Sequence, residues 1–399
     1  MNILVIGNGF DLAHGLPTSY VDFLRFFHSV VEMPSFDGSA NEYNKELLKE
    51  YSVSREAETI RILNTLFEMV NPLWKRWPES EAEFNDPVAQ ELCENLKGNV
   101  WYEYLYELHR RGKMRGINWI DFESEISHIV ETFDRADENL YHPISSDELG
   151  SMFPEDDKID LFLDKSELTD ETTYRGFLDE SYAQLRKFVC CMEFYLRNCV
   201  EKRPLSYMSP DIKKTNPNAV LCFNYTHTFV KQYGALFKNV EVHYIHGETR
   251  EEGAVRSNNM VLGIDEYYKG ADRDAHTNYN IYKKFTQRVI NETGFKYREW
   301  IREMSQNISM ARNLLEMGRF SHEIYIFGHS LDITDRDILK DMIDREGVRT
   351  TIFYHDKQQQ TQQIANLVKM LGQDKFIQMI NSIPQQITFV KQQEMITIV

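Results

Sequence analysis

The pattern of apolar residues changes near the start of the chain from a continuous run to helical spacing. Residues Asn2–Ile6 form an apolar, largely β-branched run, which is typical of a buried strand. Ser19 and Asp22 then precede apolar residues at helical spacing, so we predict a capping box and an amphipathic helix. The apolar face of that helix consists of Val21, Phe23, Leu24, Phe27 and Val30.

Helical spacing dominates the chain from about residue 40 to residue 210. The helical stretches are Asn44–Met69, Asp86–Arg111, Trp119–Phe133 and Tyr182–Val200. We assign the acids of the third stretch, among them Glu123 and Glu125, to the solvent face of the helix; the alternative is that these paired carboxylates enter a site. Residues 134–173 are very acidic and contain two prolines, so we predict an irregular, exposed segment. A docking surface for a partner is the alternative interpretation of that segment.

Strand patterns return in the second half of the chain. They cover residues 219–223, 240–245, 260–264, 323–327, 350–354 and 387–390. A charged, helical insertion at residues 268–318 interrupts them. Continuous apolar runs are typical of strands covered on both faces. We therefore predict one parallel α/β core, built from both ends of the chain, with a large helical module inserted. The predicted division is 1–35 for the first part of the core, 36–212 for the helical module and 213–399 for the remainder.

Composition narrows the functional classes. The 399 residues carry a formal net charge of −17, which argues against non-specific binding to nucleic acid, because that requires clustered Lys and Arg. No apolar run approaches the ~20 residues of a membrane span, and the N-terminus has no basic segment typical of a signal peptide. The five cysteines form no C-x-x-C pair. We therefore expect reduced thiols, a cytoplasmic location, no membrane contact and no metal site.

Two glycines separated by one residue follow the first strand. Gly7 is predicted to adopt a positive φ, and Gly9 to let backbone N–H groups approach a phosphate. The third glycine of the ordinary dinucleotide fingerprint is replaced by Leu12. Such a loop would lie at the carboxyl end of a parallel strand, where open α/β sheets bind ligands. The predicted nucleotide contacts are Gly7, Asn8, Gly9, Phe10, Asp11 and Thr18.

Polar residues also follow four later strand patterns, where they would face the same crevice. Asn224 follows residues 219–223, although asparagine at such a position is often a turn residue. His246 ends the next strand, as a general base or as a polar strand terminus. Gly328 and Ser330 follow residues 323–327 and could donate to a phosphate. Asp265 lies beyond residues 260–264, as a contact residue or as part of a plain turn.

The order of these motifs resembles that of sirtuins and sirtuin-like NAD hydrolases. These families have a strand and a G-x-G-x-[SD]-x-x-x-G-[IL]-P-T loop, followed by an asparagine, a histidine in H-G and a G-x-S-L element. This chain has the corresponding residues at Gly7–Thr18, Asn224, His246 and Gly328–Leu331. Over nearly its whole length the chain also resembles the bacteriophage abortive-infection AbiH family. The resemblance implies a sirtuin-like, Rossmann-type parallel sheet.

By the same resemblance, the protein would hydrolyse NAD⁺, as a substrate and not as a prosthetic group, to nicotinamide and ADP-ribose. Asn224 would orient the ribose and a water, and His246 would act as the base. The loop from Gly7 to Phe10, assisted by Ser330, would hold the nucleotide. Such an enzyme would be silent until triggered, with a phage-derived protein as the expected trigger. The helical module would regulate it or form the interface of a homo-oligomer.

Three departures from the sirtuin pattern qualify this expectation. No four-cysteine zinc module follows His246, so protein deacylation is not expected. Thr226, two residues after Asn224, replaces the aspartate that sirtuins have there. Asp11 replaces a serine near the phosphates, where a carboxylate would repel a pyrophosphate. We therefore expect Asp11 to cap the helix or to contact a ribose hydroxyl.

Two other functions fit the same motifs. A non-catalytic sensor would bind NAD or ADP-ribose in the crevice and signal through the helical module. A metal-dependent nuclease or phosphohydrolase would use His227, His246 and His329, with Asp11 or Asp265, as metal ligands. No compact histidine spacing supports the second alternative.

Overall fold

A computed structural model describes most of the chain. The described residues are 1–32, 87–114, 120–136, 145–153, 156–166, 172–250, 258–266, 277–306, 314–315 and 317–398. The predicted helix at Asn44–Met69 lies outside these residues.

Strands from both ends of the chain form one six-stranded sheet. The strands are β1 (Asn2–Ile6), β2 (Tyr207–Met208), β3 (Ala219–Cys222), β4 (Glu241–Tyr244), β5 (His322–Phe327), β6 (Val348–Tyr354), β7 (Ile387–Lys391) and β8 (Ile396–Thr397). The order in the large sheet is β4-β3-β1-β5-β6-β7, and all neighbours in it are parallel. β2 and β8 form a separate antiparallel pair. The prediction of a parallel sheet built from both ends of the chain is confirmed.

The chain enters this sheet at its centre. β1 pairs with β3 on one side and with β5 on the other. Numbered along the chain, the six strands lie in the order 3-2-1-4-5-6, so the direction of strand addition reverses at β1. In open parallel sheets, ligands bind in the crevice outside the carboxyl ends of the strands at such a reversal. The residues that follow β1, β3, β4 and β5 therefore surround the position at which a ligand is expected.

Helices cover both faces of the sheet. Those before β3 are α1 (Asn8–Ala13), α2 (Tyr20–Glu32), α3 (Pro87–Leu96), α4 (Val100–Arg110), α5 (Ile120–Ala136), α6 (Ser146–Ser151), α7 (Asp157–Lys165), α8 (Tyr174–Tyr195), continued by a π-helical turn (Leu196–Val200), and α9 (Pro210–Thr215). Those after it are α10 (Thr228–Tyr233), a 3₁₀ turn (Asn280–Tyr282), α11 (Lys284–Ile290), α12 (Tyr297–Ser305), a second 3₁₀ turn (Ile333–Asp335), α13 (Arg336–Ile343), α14 (Lys357–Leu371) and α15 (Gln373–Asn381). One sheet face packs against α12 to α15, and the other packs against α1, α9 and α10.

The helices between α1 and α9 pack around a second apolar core, to which Met260, Leu262 and Tyr282 also contribute. Phe23 of α2 is fully buried, and its ring lies edge-on to that of Phe188 of α8, with centroids 5.5 Å apart. The Ser19 N–H donates to Asp22 Oδ2 at 3.1 Å, and the Asp22 N–H donates to Ser19 Oγ at 3.2 Å. The predicted capping box and amphipathic helix are thus confirmed. The boundaries at residues 35 and 212 stay predictions.

Part of the acidic segment at residues 134–173 is helical, contrary to the prediction. Asp156 accepts hydrogen bonds from the backbone N–H groups of Lys158 and Ile159 and so caps α7. Ile159 and Phe162 are fully buried in the core of the helical part. These apolar residues are three apart, so the acids of α7 occupy its other faces. The prediction of an irregular, exposed segment is wrong where the structure describes it.

Residues 260–264 are buried but do not form a strand, so that prediction is also wrong. Within residues 258–266, Ile264 alone makes a β-bridge, to Lys283. The Leu262 N–H donates to Gln287 Oε1 at 3.1 Å, and Gln287 Nε2 donates to the Leu262 carbonyl at 3.0 Å. One glutamine of α11 thus satisfies both backbone groups of Leu262 without a neighbouring strand. Helices α11 and α12 lie within the predicted helical insertion at 268–318.

All five cysteines are free thiols, and those of α8, the π-helical turn and β3 are buried, as expected for core residues. None of the helices in the described ranges is both long and apolar enough to cross a membrane.

Candidate functional site

The glycines after β1 bring two loops into contact. Gly7 is extended, with φ −131° and ψ −174°, so the predicted positive φ is wrong there. The left-handed glycine is instead Gly328, after β5, with φ +68°. The Gly9 N–H donates to the Gly328 carbonyl oxygen at 2.8 Å. A Cβ on Gly7 or on Gly9 would lie 2.9 Å from backbone atoms of the loop after β5. These glycines therefore permit close packing of the two loops.

The other residues of the predicted nucleotide loop have different surroundings. Asn8 Nδ2 donates to the Thr18 carbonyl at 2.9 Å, so the two ends of the loop are tied together. Phe10 is fully buried and packs edge-on against Phe327, with ring centroids 6.0 Å apart, as a core residue does. Ser330 is half-buried beyond β5. Nucleotide contacts by these residues stay predictions.

Asp11 is a buried acid at the carboxyl end of β1. Its Oδ2 accepts a hydrogen bond from Thr226 Oγ1 at 2.6 Å, and Thr226 Oγ1 lies 3.0 Å from Thr228 Oγ1. Burial raises the pKa of Asp11 to about 6, although the hydroxyl donors lower it. Asp11 Oδ1 is buried and has no hydrogen-bond partner among the described residues. Gly7 is the N-cap of α1, so Asp11 lies inside the helix and does not cap it.

Asn224 lies beside Asp11. It follows β3, is 5% exposed, and its side-chain amide is close enough to lower the pKa of the Asp11 carboxyl. Within the described ranges, Asn224 Nδ2 makes no hydrogen bond of standard geometry, although it is buried. The Asn224 amide and the Asp11 carboxylate thus lie close to each other, without a hydrogen bond of standard geometry between them. A ligand with hydroxyl groups could use both.

His246 follows β4 and contacts Asp335, which no sequence motif had indicated as a site residue. His246 Nε2 lies 3.0 Å from Asp335 Oδ1, and the side chain is 5% exposed. Desolvation, together with the positive charge of Lys284, lowers the pKa of His246 to about 4 although Asp335 raises it, so the ring is neutral at pH 7. Because Nε2 faces a carboxylate, we assign the proton to Nε2, which leaves Nδ1 as an acceptor. His246 Nδ1 is buried and unpaired in the part of the chain that is described.

Asp335 is the centre of a buried ionic network. Lys284 Nζ donates to Asp335 Oδ1 at 3.1 Å and to Glu123 Oε2 at 2.8 Å. His329 Nε2 lies 3.4 Å from Asp335 Oδ2. Burial alone would raise the pKa of Asp335, but the charge of Lys284 and the hydrogen bonds from His246 and His329 hold it well below its usual value. Burial raises the pKa of Glu123 to about 7. Glu123 is therefore a buried member of the site's surroundings.

The predicted solvent-face position of the two acids of α5 is therefore wrong. Glu123 contacts Lys284, and Glu125 forms a 2.6 Å ion pair with Lys158; both acids are 8% exposed. Each carboxylate is compensated by a lysine from a distant part of the chain, which is how a buried charge is tolerated.

Asp265 and Arg288 lie at the margin of the network. Burial raises the pKa of Asp265 to about 7, and the charges of Asp337 and Lys284 act on it in opposite directions. Arg288 Nη2 pairs with Asp337 Oδ2 at 2.7 Å. The positive charge of Arg288 also lowers the pKa of His246, so Arg288 lies near the carboxyl end of β4.

Comparison with known protein families matches residues 3–356 to the family described as bacteriophage abortive infection AbiH. This match covers most of the chain. The protein belongs to the AbiH family. Searches of curated proteins and of solved structures found no match.

In this AbiH protein the three histidines proposed as metal ligands are divided between two places. His227 contacts Glu201 and Glu248, at 2.8 and 2.9 Å, whereas His246 and His329 both face Asp335. Over the described ranges no group of three or more His, Cys, Asp or Glu side chains has an arrangement that could hold a metal ion. The geometry therefore does not support the grouping on which the nuclease alternative rests.

The AbiH site thus combines residues that sequence motifs indicated with others that they did not. Asn224, His246 and Asp11 were predicted. Asp335 and Lys284 were missed, because nothing in the local sequence distinguishes a buried Asp or Lys from an exposed one. The nearest signal is the position of Asp335 shortly after the Gly328–Leu331 element.

Proposed function

We propose that this AbiH protein is a phage-defence effector that hydrolyses NAD⁺ to nicotinamide and ADP-ribose. The observation that carries the proposal is the pair of buried polar groups, Asn224 Nδ2 and His246 Nδ1, that have no partner within the described residues. They follow adjacent parallel strands. Native proteins rarely leave buried polar atoms unpaired without a functional reason.

The position of these groups supports a dinucleotide as the ligand. The strand order 3-2-1-4-5-6 is that of dinucleotide-binding sheets, in which the ligand crosses the crevice where the order reverses. The motif order resembles that of sirtuins, and a sirtuin-like, Rossmann-type fold is part of the proposal.

The chemistry requires positioning more than a strong nucleophile. Nicotinamide leaves as a neutral molecule from a cationic precursor, and positive charge develops on the ribose. Asn224 orients the ribose hydroxyls and a water, and His246 Nδ1 accepts a proton from the water or from a hydroxyl. Asp335 is a positioning residue, since it holds the opposite ring nitrogen of His246 at 3.0 Å.

The surroundings of Asp11 suit a contact with a ribose hydroxyl better than a contact with a phosphate. Its unused Oδ1 is an acceptor, whereas a phosphate needs donors. A ribose hydroxyl would supply the missing donor. We therefore propose that Asp11 and Asn224 together bind the hydroxyls of one ribose.

Burial of the site supports control by a trigger. Asn224 and His246 are 5% and 4% exposed, so a dinucleotide reaches them only when surrounding residues move apart. An effector that removes NAD⁺ would harm its own cell, and a closed resting site limits that harm. The proposal also includes opening of the site by a phage-derived protein and assembly of the protein as a homo-oligomer.

The test is incubation of the full chain with NAD⁺, with nicotinamide and ADP-ribose followed by chromatography. Without the trigger we expect slow basal release by the wild-type protein, because the closed site opens only transiently. Asn224→Ala and His246→Ala should lower that basal rate by at least about 100-fold, the range for a general base. His243→Ala is the matched control, since His243 lies on the same strand, is 6% exposed and contacts Thr293 instead of the site. Circular dichroism checks the fold of each variant.

The outcomes separate the alternatives. Saturable NAD⁺ binding without nicotinamide release would contradict hydrolysis and favour a sensor. Neither binding nor release would contradict the NAD⁺ proposal altogether. Wild-type rates in either site variant would remove the assigned residue from the mechanism.

A further inference from the structure

Arg288 of α11 is a buried cation with unused hydrogen-bond donors. Its side chain is 3% exposed, and one nitrogen, Nη2, pairs with Asp337 Oδ2 at 2.7 Å. Nε and Nη1 are also buried, yet neither has a hydrogen-bond partner in the described ranges. A guanidinium carries five N–H donors in a plane, and a buried one is normally paired on more than one nitrogen. Arg288 therefore has the capacity for a further anionic partner.

The location of Arg288 connects it with the site. Lys284 and Arg288 are one turn apart on α11 and share a face of that helix. Lys284 pairs with Asp335, the residue that contacts His246. Arg288 pairs with Asp337, which lies two residues after Asp335, in the first turn of α13. The charge of Arg288 acts on His246. Arg288 thus lies one helical turn from Lys284, whose partner Asp335 contacts the proposed catalytic histidine.

We propose that Arg288 binds a phosphate group of the dinucleotide, an inference that rests on the proposed function. The planar guanidinium donates to two oxygens of one phosphate at once, which an ammonium group does not do. Asp337 occupies one nitrogen in the resting protein. Because the Asp337 side chain is 38% exposed, it is on the solvent-facing margin and can yield its place to the phosphate.

This assignment differs from the glycine-loop cradle suggested by the sequence. The Gly9 N–H is already bonded to the Gly328 carbonyl, so it is not free for a phosphate in the structure described. Arg288 supplies both the positive charge and the free donors that the loop after β1 does not provide. Different parts of the chain would then hold different groups of the substrate. Asp11 and Asn224 would hold a ribose, and Arg288 would hold a phosphate.

The test is calorimetric titration of the full chain with ADP-ribose, which carries the phosphates, and with adenosine, which does not. We expect Arg288→Gln to weaken ADP-ribose binding by about tenfold or more, as loss of a charge-assisted contact does. Asp337→Asn should tighten ADP-ribose binding, because it removes the competing carboxylate. Adenosine affinity should be the same in all variants. The matched control is Arg302→Gln, which removes the same charge from an exposed position on α12.

Each result decides the proposal. Unchanged ADP-ribose affinity in a folded Arg288→Gln variant would overturn the phosphate assignment while leaving NAD⁺ hydrolysis standing. If that variant does not fold, Asp337→Asn decides, and unchanged or weaker binding in it overturns the assignment. A wild-type protein that binds ADP-ribose without hydrolysing NAD⁺ contradicts hydrolysis but not Arg288. A wild-type protein that binds no ADP-ribose contradicts both.

Discussion

At the scale of single residues, Asp11 occupies a position that lowers the stability of the folded protein. Its carboxyl is 1% exposed, and Oδ1 has no hydrogen-bond partner among the described residues. Desolvation raises its pKa from 3.8 to about 6, which means that ionising this group in the folded protein is unfavourable. A residue with a purely structural role would be expected to avoid this penalty.

Replacing Asp11 by asparagine should therefore stabilise the protein in a pH-dependent way. The folded state keeps the Asp11 proton between about pH 4 and pH 6, where the unfolded chain has lost it. Wild-type stability consequently falls as pH rises through that interval, whereas Asp11→Asn has no such loss. Above pH 6 we expect the stability advantage of the variant to be about 3 kcal/mol larger than at pH 4. Urea denaturation from pH 4 to pH 8 measures the difference.

An exposed acid provides the control for this experiment. Asp374→Asn, on the surface of α15, should change the unfolding free energy by less than about 0.5 kcal/mol at any pH. A constant difference between Asp11→Asn and wild type, independent of pH, would contradict the raised pKa of Asp11.

Site residues could be predicted where the neighbouring sequence indicates their position, and not where only distant contacts do. Asn224 and His246 follow apolar strands, and strand ends can be identified from the sequence alone. The partners of Asp335 are 89 and 51 residues away, at His246 and Lys284. Such pairs arise from the packing of helices on the sheet, and no local spacing contains them.

At the scale of elements, the main connection is that between the loops after β1 and β5. From the sequence, the glycines after β1 and β5 were interpreted as a phosphate contact, and that role stays a prediction. In the structure, a Cβ on Gly328 would lie 2.1 Å from the Phe10 backbone nitrogen, so the space is occupied by the neighbouring loop. A G-x-G motif has the same sequence whether a ligand or another backbone approaches it, and for this reason the sequence could not distinguish the two.

Gly328→Ala should accordingly be severely destabilising. The substitution combines a left-handed φ of +68° with a backbone clash, so we expect a loss above about 4 kcal/mol or failure to fold. Gly318→Ala is the matched control, since its φ is +73° but no atom of the described residues lies within 4 Å of the added Cβ. Strain alone should reduce stability there by about 1 kcal/mol. Similar losses in both variants, measured by thermal unfolding, would show that the contact between the loops is unimportant.

At the scale of the whole molecule, a buried ionic network connects the helical part of the chain with the sheet. Glu123 belongs to α5, and Lys284 belongs to α11, 161 residues later. Lys284 also holds Asp335, which in turn contacts His246. The division into a parallel core and inserted helices was visible in the apolar pattern. Its connection to the site was not, because the acids of α5 have the same spacing as acids on a solvent face.

Lys284→Met should reveal the strength of that connection. Removing the lysine leaves Asp335 and Glu123 without their shared counter-charge in a buried site, so we expect a loss of about 3–5 kcal/mol in unfolding free energy. Glu123→Gln should cost only about 1 kcal/mol, because the pKa of Glu123 is raised to about 7 and Lys284 keeps Asp335 as a partner. Chemical denaturation at pH 7 compares the two variants. Equal destabilisation of the two variants would contradict the central role of Lys284 in this network.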